Sequence, residues 1–256
     1  MKIAIIGVGV MGKAFAEAFA KAGHDVVLCD RNPEKGKALA KIARFEENPK
    51  SAVASADIVL IAIKPKDLEK LAEKIQGLEG KTVLSILAGV SVSTLMGYFP
   101  GAQIVRSMPN LALTCSESVI ALVEDKSLDA ETTCQVEALL EGLGLVFWTE
   151  EKQIDGITAL AGSGPAFIIA ILEAMVESGI LMGLKADDAL KLALQTMRGT
   201  IALIEGHTGH PGELRWQVSA PAGTTIAGMK AFEENSVRSG LIETFLAAYN
   251  RSIELS

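Results

Sequence analysis

Two segments of this chain carry residues that could do chemistry. The first is Gly7-Val-Gly-Val-Met-Gly12, which follows a short apolar run and opens a run rich in alanine and phenylalanine. Gly7 permits a tight turn, Gly9 lets the backbone approach a pyrophosphate, and Gly12 lets a helix pack closely on a sheet. Val10 and Met11 sit where such a helix starts, with amides free to meet an anion. The second segment is residues 210–225, closing on Ala220-Pro-Ala-Gly-Thr-Thr225. It reads as a loop that runs into a helix beginning near Gly223. Amides and a favourable dipole at that start suit a carboxylate, and Thr224 and Thr225 add hydroxyls for a small polar substrate.

Further residues fall at positions where a dinucleotide would lie. Asp30 ends a second apolar run, where a carboxylate grips the ribose hydroxyls of NAD, or caps the Asn32-Pro33 turn instead. Arg31 follows, and a guanidinium there binds the 2′-phosphate of NADP, so the two point to dual cofactor use. Ala62, Ile63, Lys64 and Pro65 close a third apolar run, with Lys64 held extended by the following proline. Ala88-Gly89 and Met108-Pro-Asn110 close later runs, and Asn110 reads either as a hydrogen-bonding group for nicotinamide or substrate, or as a turn former. Glu173 and Glu177, four apart on an apolar stretch, read more readily as paired interface carboxylates than as acid and base.

The elements that must position these groups follow from periodicity. Strands are expected at 2–6, 25–29, 57–63, 82–86, 103–107, 119–123 and 144–148. Helices are expected at 12–22, 33–42, 65–75 and 129–141, with one more between the fourth and fifth strands. That alternation predicts an α/β fold with a doubly wound sheet over residues 1–150. Beyond residue 150 the pattern becomes helical, with helices at 154–161, 166–182, 186–207, 224–233 and 237–252, so 151–256 is expected to be all-helical.

Composition narrows the function classes. A net charge of −7 opposes nucleic-acid binding as the main task. The three cysteines, Cys29, Cys115 and Cys134, lack disulfide or metal-ligand spacing, and the reading is no metal and a reducing cytoplasm. The first residues lead into the glycine loop and not into a cleavage site. Two long uncharged runs, 82–105 and 156–172, carry glycine and proline and read as buried elements of a folded chain, not membrane spans. A mean hydropathy of +0.33 points to an apolar surface buried between subunits.

With these pieces in place, the chain resembles the pyrroline-5-carboxylate reductase family. The resemblance spans nearly the whole length. It rests on Gly7–Gly12, Ala62-Ile-Lys-Pro65, Arg106-Ser-Met-Pro-Asn110, Leu160-Ala-Gly-Ser-Gly-Pro-Ala-Phe167, and residues 210–225 followed by Ile226-Ala-Gly. It implies a Rossmann domain joined to a helical dimerisation domain, and reduction of 1-pyrroline-5-carboxylate to proline with NADPH or NADH. It further implies that Asn48 contacts the cofactor and that Ala62–Pro65 with Ala88-Gly89 line its cleft. Glu151 and Gln217 would lie near the substrate. Gly223, Thr224 and Thr225 would bind it, with Thr225 at the imine nitrogen. The partners implied are a small-molecule substrate and a second copy of the chain, with no nucleic acid or membrane.

The chain departs from the family pattern at Ala220 and Ala222, where serine and glycine are usual, and at Leu111-Ala112. Other readings are a reductase of a related cyclic imine acid and a non-catalytic dinucleotide sensor. A β-hydroxyacid dehydrogenase would need a lysine between residues 163 and 182, and there is none.

Overall fold

The computed structural model describes residues 1–255 and divides the chain into two compact units. One comprises Met1–Ser163 together with the chain from Ala248 onward, and the other is Gly164–Ala247.

The first unit is built on an eight-stranded sheet. Its strands are β1 (Lys2–Ile6), β2 (Asp25–Cys29), β3 (Arg44–Phe45), β4 (Ile58–Ile61), β5 (Thr82–Ser85), β6 (Gln103–Pro109), β7 (Ser118–Val123) and β8 (Gly144–Thr149). They lie in the order β3-β2-β1-β4-β5-β6-β7-β8. The first six run parallel, in register such that Ile6 faces Cys29 on one side and Ile61 on the other. Along β1, Ile3 and Ile5 enter the core on one face, while Ala4 and Ile6 enter the core on the other. The strands read as unbroken apolar runs because both faces are covered.

The covering helices are α1 (Val10–Lys21), α2 (Pro33–Lys37), α3 (Pro49–Ala54), α4 (Leu68–Ala72), α5 (Val92–Tyr98), α6 (Ala130–Leu140) and α7 (Ile154–Ile157). Phe15 and Phe19 of α1 and Val136 and Leu139 of α6 fill one face. Val53, Leu71, Leu95 and Ile154 fill the other. The strand order reverses between β2 and β4 on either side of β1, the switch point at which doubly wound sheets bind ligands.

Several elements depart from the expectation. Strand β3 is too short to show a period, and the six-residue α3 is marked only at its start, where Asn48 caps it by accepting Lys50 N–H and Pro49 takes the first helical position. Helix α2 stops at Lys37, five residues short of the expected end. The helix expected at 65–75 begins as a 3₁₀ turn, Pro65–Asp67, before α4. Strand β7 runs antiparallel to β6 because the link from Pro109 to Ser118 is too short for a parallel crossover.

The first compact unit runs on to Ser163, past residue 150, where the sequence pattern changes. Ile154 is buried in the sheet's core. The buried Arg106 guanidinium on β6 donates through Nη1 to Glu151 Oε1 at 2.7 Å, and the same oxygen accepts Val92 N–H at 2.8 Å. After α7 the chain widens into a π-helical turn, Thr158–Gly162, held by Asn110 Nδ2 donating to Ala161 O at 3.0 Å.

The second unit is helical: α8 (Gly164–Leu181), α9 (Ala186–Glu205), α10 (Pro211–Gln217), α11 (Thr224–Glu234) and α12 (Val237–Leu255), whose last turns belong to the first unit. Gly179 lets α8 approach α9, since a Cβ there would stand 2.7 Å from Ala189 Cβ. Few side chains of this unit are buried, and Leu181, Met182, Ile201 and Leu203 are exposed. The helical stretch Glu151–Leu181 is long and apolar enough by composition to cross a bilayer, with a mean hydropathy of 1.8.

Two stability predictions follow from these contacts. A Cβ at Gly12 would stand 1.9 Å from Gly7 O, so Gly12→Ala should lose about 2–3 kcal/mol in urea unfolding. Wild-type stability would show that α1 can shift freely. Glu151→Ala strands a buried guanidinium whose Nε already lacks a partner, and should cost about 3 kcal/mol. Glu151→Gln, which keeps an acceptor, should cost less in the same titration.

Candidate functional site

The glycine loop has the backbone that a dinucleotide requires. Gly7 sits at φ +103°, and a Cβ on it would come within 2.5 Å of Ala62 O. Its N–H donates to Cys29 O at 2.7 Å, which joins the loop to the end of β2. A Cβ on Gly9, in contrast, would meet nothing within 4 Å, so this is the glycine open to a ligand. Helices α2, α3, α5, α6 and α10 are each capped by a side chain. Helix α1 is not; it starts on Gly9 with no side-chain cap, leaving its first-turn amides for an anion.

A cleft of about 540 Å³ opens beside this loop. Gly7, Gly9, Val10, Met11, Asp30, Arg31, Ala62, Ile63 and Lys64 line it, so the structure brings together the main part of the expected cofactor set. The basic side chains around it are Arg31, Lys35, Lys64, Lys70 and Lys74, against the carboxylates of Asp30, Glu47 and Asp67. In a chain of net charge −7, this local positive excess suits a polyanionic ligand.

Asp30 is fixed by the backbone. Oδ2 accepts Val8 N–H at 2.7 Å and Oδ1 accepts Asn32 N–H at 2.9 Å. It is thus both the turn former and a carboxylate on the cleft wall, while Asn32 caps α2. Cys29 lines the same cleft. Burial, reinforced by the charges of Asp30 and Glu46, pushes its thiol up to about 11, which leaves it neutral and unreactive.

Other expected residues have different places. Asn48 is not itself on the cleft, although its neighbours Glu47 and Pro49 are. Asn110 is buried: Oδ1 accepts Ala112 N–H and the Ser118 hydroxyl, and Nδ2 donates one hydrogen to the π-helical turn. It positions that turn through one of its two Nδ2 hydrogens. Pro65 and Gly89 border a separate hollow of about 230 Å³, which Ala88 does not line. Sequence reasoning missed Lys35, Asp67, Lys70 and Lys74. The lysines on and beside α4 recur at four-residue spacing, a signal that was available, whereas Asp67 has none because its partner Arg31 lies 36 positions away.

The second segment belongs to the helical unit. Where a continuous loop was expected up to Gly223, residues 211–217 form α10, with Pro211 at its start and the His210 Nδ1 accepting Gly212 N–H. Gln217 ends this helix and is exposed. His207 Nε2 lies 3.3 Å from a Glu213 carboxylate oxygen, which draws the end of α9 toward α10.

The loop then turns through Ala222 at φ +56°. This left-handed conformation favours glycine, so alanine holds it under local strain. Gly223 N–H donates to Ala220 O at 3.0 Å, closing the turn. Helix α11 starts on Gly223 with no side-chain cap, as α1 starts on Gly9. Thr224 is exposed and Thr225 half-buried, with no hydrogen bond from either hydroxyl within the described residues. The start of α11 therefore offers amides and two hydroxyls to a carboxylate-bearing ligand. Glu151 has one oxygen committed to Arg106 and Val92, and its side chain stays about a third exposed.

Comparison with known proteins matches this arrangement. Residues 151–255 match the family model described as pyrroline-5-carboxylate reductase dimerisation, and residues 2–89 match that described as NADP oxidoreductase coenzyme F420-dependent. The chain is 34% identical to a pyrroline-5-carboxylate reductase of Aquifex aeolicus, over 95% of this chain and 93% of that one. It is also 34% identical to one of Synechocystis, over 100% and 98%. Among solved structures it is similar to a pyrroline-5-carboxylate reductase of Coxiella burnetii, at TM-score 0.88 and 29% identity over 99% and 98% of the two chains. A Plasmodium falciparum pyrroline carboxylate reductase with NADP bound has the same fold, at TM-score 0.92 and 23% identity over 100% and 98%. The chain belongs to the pyrroline-5-carboxylate reductase family.

Proposed function

We propose that this chain reduces 1-pyrroline-5-carboxylate to L-proline, with NADPH as the hydride donor and NADH as a second donor. The observation that carries the reading is the pair of uncapped, glycine-initiated helices: α1 beside a cationic cleft, and α11 beside two free threonine hydroxyls. Full-length relatives named for this activity support it.

The residues fit a dinucleotide. Gly9 gives room for close backbone approach, and the amides of Val10 and Met11 at the start of α1 would hold the pyrophosphate. Asp30 and Arg31 would face the adenosine ribose, with Ala62, Ile63 and Lys64 along the cleft wall. When bound, the reduced nicotinamide supplies the hydride, and the protein supplies position and electrostatics.

The amides of Gly223 and Thr224 would take the substrate carboxylate. Thr225 would hydrogen-bond the imine nitrogen, which accepts hydride well only when protonated or hydrogen-bonded. Threonine is a weak acid, so its role is to orient an iminium that binds already protonated. Gln217, at the end of α10, would border the ring. Glu151 would act through Arg106 and the start of α5, holding β6 in place. Aligning the two reactants supplies several kcal/mol, up to about 10 in favourable cases.

The exposed apolar helices would be covered by a second copy of the chain, as the dimerisation model over residues 151–255 supports. This, and not a bilayer, is our reading of the apolar stretch Glu151–Leu181. The cytoplasm is the compartment proposed, in keeping with cysteines that are free in the described residues.

The purified chain should oxidise NADPH, followed at 340 nm, when given 1-pyrroline-5-carboxylate, and form proline in equal amount. Cofactor binding without turnover of any cyclic imine acid would make it a sensor. Thr225→Ala should lower kcat at least tenfold with the circular dichroism spectrum unchanged, and wild-type kinetics would remove Thr225 from the site. Ala222→Gly relieves the left-handed alanine and should stabilise the fold by about 0.5–1 kcal/mol in thermal unfolding. A loss of stability would mean that the Ala222 methyl makes a contact worth more than the strain.

A further inference from the structure

The adenosine end of the cleft carries its cations already paired. Arg31 donates through Nη1 to Asp67 Oδ1 at 3.1 Å and through Nη2 to Asp67 Oδ2 at 2.9 Å. This is the two-pronged geometry in which an arginine–carboxylate pair is strongest. The two partners differ in freedom. The Arg31 side chain is 80% exposed, whereas that of Asp67 is 15% exposed. Asp67 closes the 3₁₀ turn after β4, with its own N–H bonded to Lys64 O. The guanidinium is the solvent-exposed member, and the more buried carboxylate is the anchor that holds it. The next cation along, Lys35, lies 3.6 Å from Asp30 Oδ2, an oxygen that also accepts Val8 N–H.

We propose that Asp67 is a specificity-determining residue that restrains this chain's preference for the 2′-phosphorylated dinucleotide by competing for Arg31. The inference rests on the dinucleotide reading of the cleft. A ribose with a free diol needs an acceptor, which Asp30 supplies, and brings no added charge. A ribose 2′-phosphate needs the Arg31 guanidinium, and meets it already neutralised by a fixed carboxylate. The phosphate must then share the guanidinium beside a like charge or draw it away from Asp67, and either route weakens binding. Arg31 thus makes the phosphorylated cofactor acceptable, while Asp67 keeps the unphosphorylated one competitive. Neither residue alone sets the ratio.

The test is equilibrium binding without imine, from the fluorescence of bound NADPH and NADH at one fixed ionic strength. The set is the wild type, Asp67→Asn, Arg31→Ala and the double variant, with Asp67→Ser as a second neutral replacement and circular dichroism to confirm folding. Asp67→Asn should tighten NADPH at least fivefold and change NADH less than twofold. In the Arg31→Ala background the same substitution should change NADPH less than twofold. Three results would overturn the proposal: unchanged or weaker NADPH binding, equal tightening of both cofactors, or a gain that survives loss of Arg31. A wild type that binds neither cofactor would overturn the dinucleotide reading itself, and this inference with it.

Discussion

The structure depends on one close approach, that of α1 to the carboxyl end of β1. Gly12 sits so near Gly7 O that no side chain fits between them, and a side chain on Gly7 would in turn collide with Ala62 O, just past β4. The chain can leave the sheet, turn and enter the helix only because these positions lack Cβ atoms. Asp30 then clamps the loop from the neighbouring strand by accepting Val8 N–H. The result is a helix start whose amides face a cleft and have no side chain to satisfy them. Packing and function are not separable here, because the contact that seats the helix also leaves its first turn open.

The helical unit repeats this solution with different residues. Helix α11 also starts on glycine without a cap, after a turn forced through a left-handed alanine. Most of the other short helices are closed by Asn, Ser, Asp or His side chains. A side-chain cap satisfies the amides internally and removes them from use; the starts of α4, α7 and α9 also lack one, but only α1 and α11 begin on a glycine cap residue, which leaves their amides open to an anion. Each has its own complement: lysines and an arginine around the first, threonine hydroxyls at the second.

Much of this was legible from residue types. The strands β1, β2, β4 and β5 announce themselves as apolar runs because both faces of the sheet are covered, and the three glycines have one structural explanation each. The signal failed where the cause was tertiary. Strand β3 exists by pairing with β2 through two residues, too few for any period. Asn110, at the carboxyl end of a strand, reads equally as a ligand or a turn former, and only the tertiary fold shows Oδ1 accepting from Ala112 and Ser118 and one Nδ2 hydrogen given to Ala161. Arg31 was visible as a phosphate-binding candidate, whereas the carboxylate that competes for it was not, since nothing local links residues 31 and 67. The helix within residues 211–217 is signalled by Pro211 at its first position, but seven residues with Gly212 among them are too few to show a helical period.

The central claim is that the two uncapped helix starts that begin on glycine receive the two anions of the reaction, pyrophosphate on α1 and substrate carboxylate on α11. A crystal structure of the chain with NADP⁺ and L-proline tests it most directly. The account predicts pyrophosphate oxygens within hydrogen-bonding distance of the amides of residues 9–11, and the proline carboxylate on the amides of residues 223–225 with Thr225 Oγ1 at the ring nitrogen. A proline carboxylate held by Lys64 or any other side chain, with the start of α11 bound only to solvent, would contradict it.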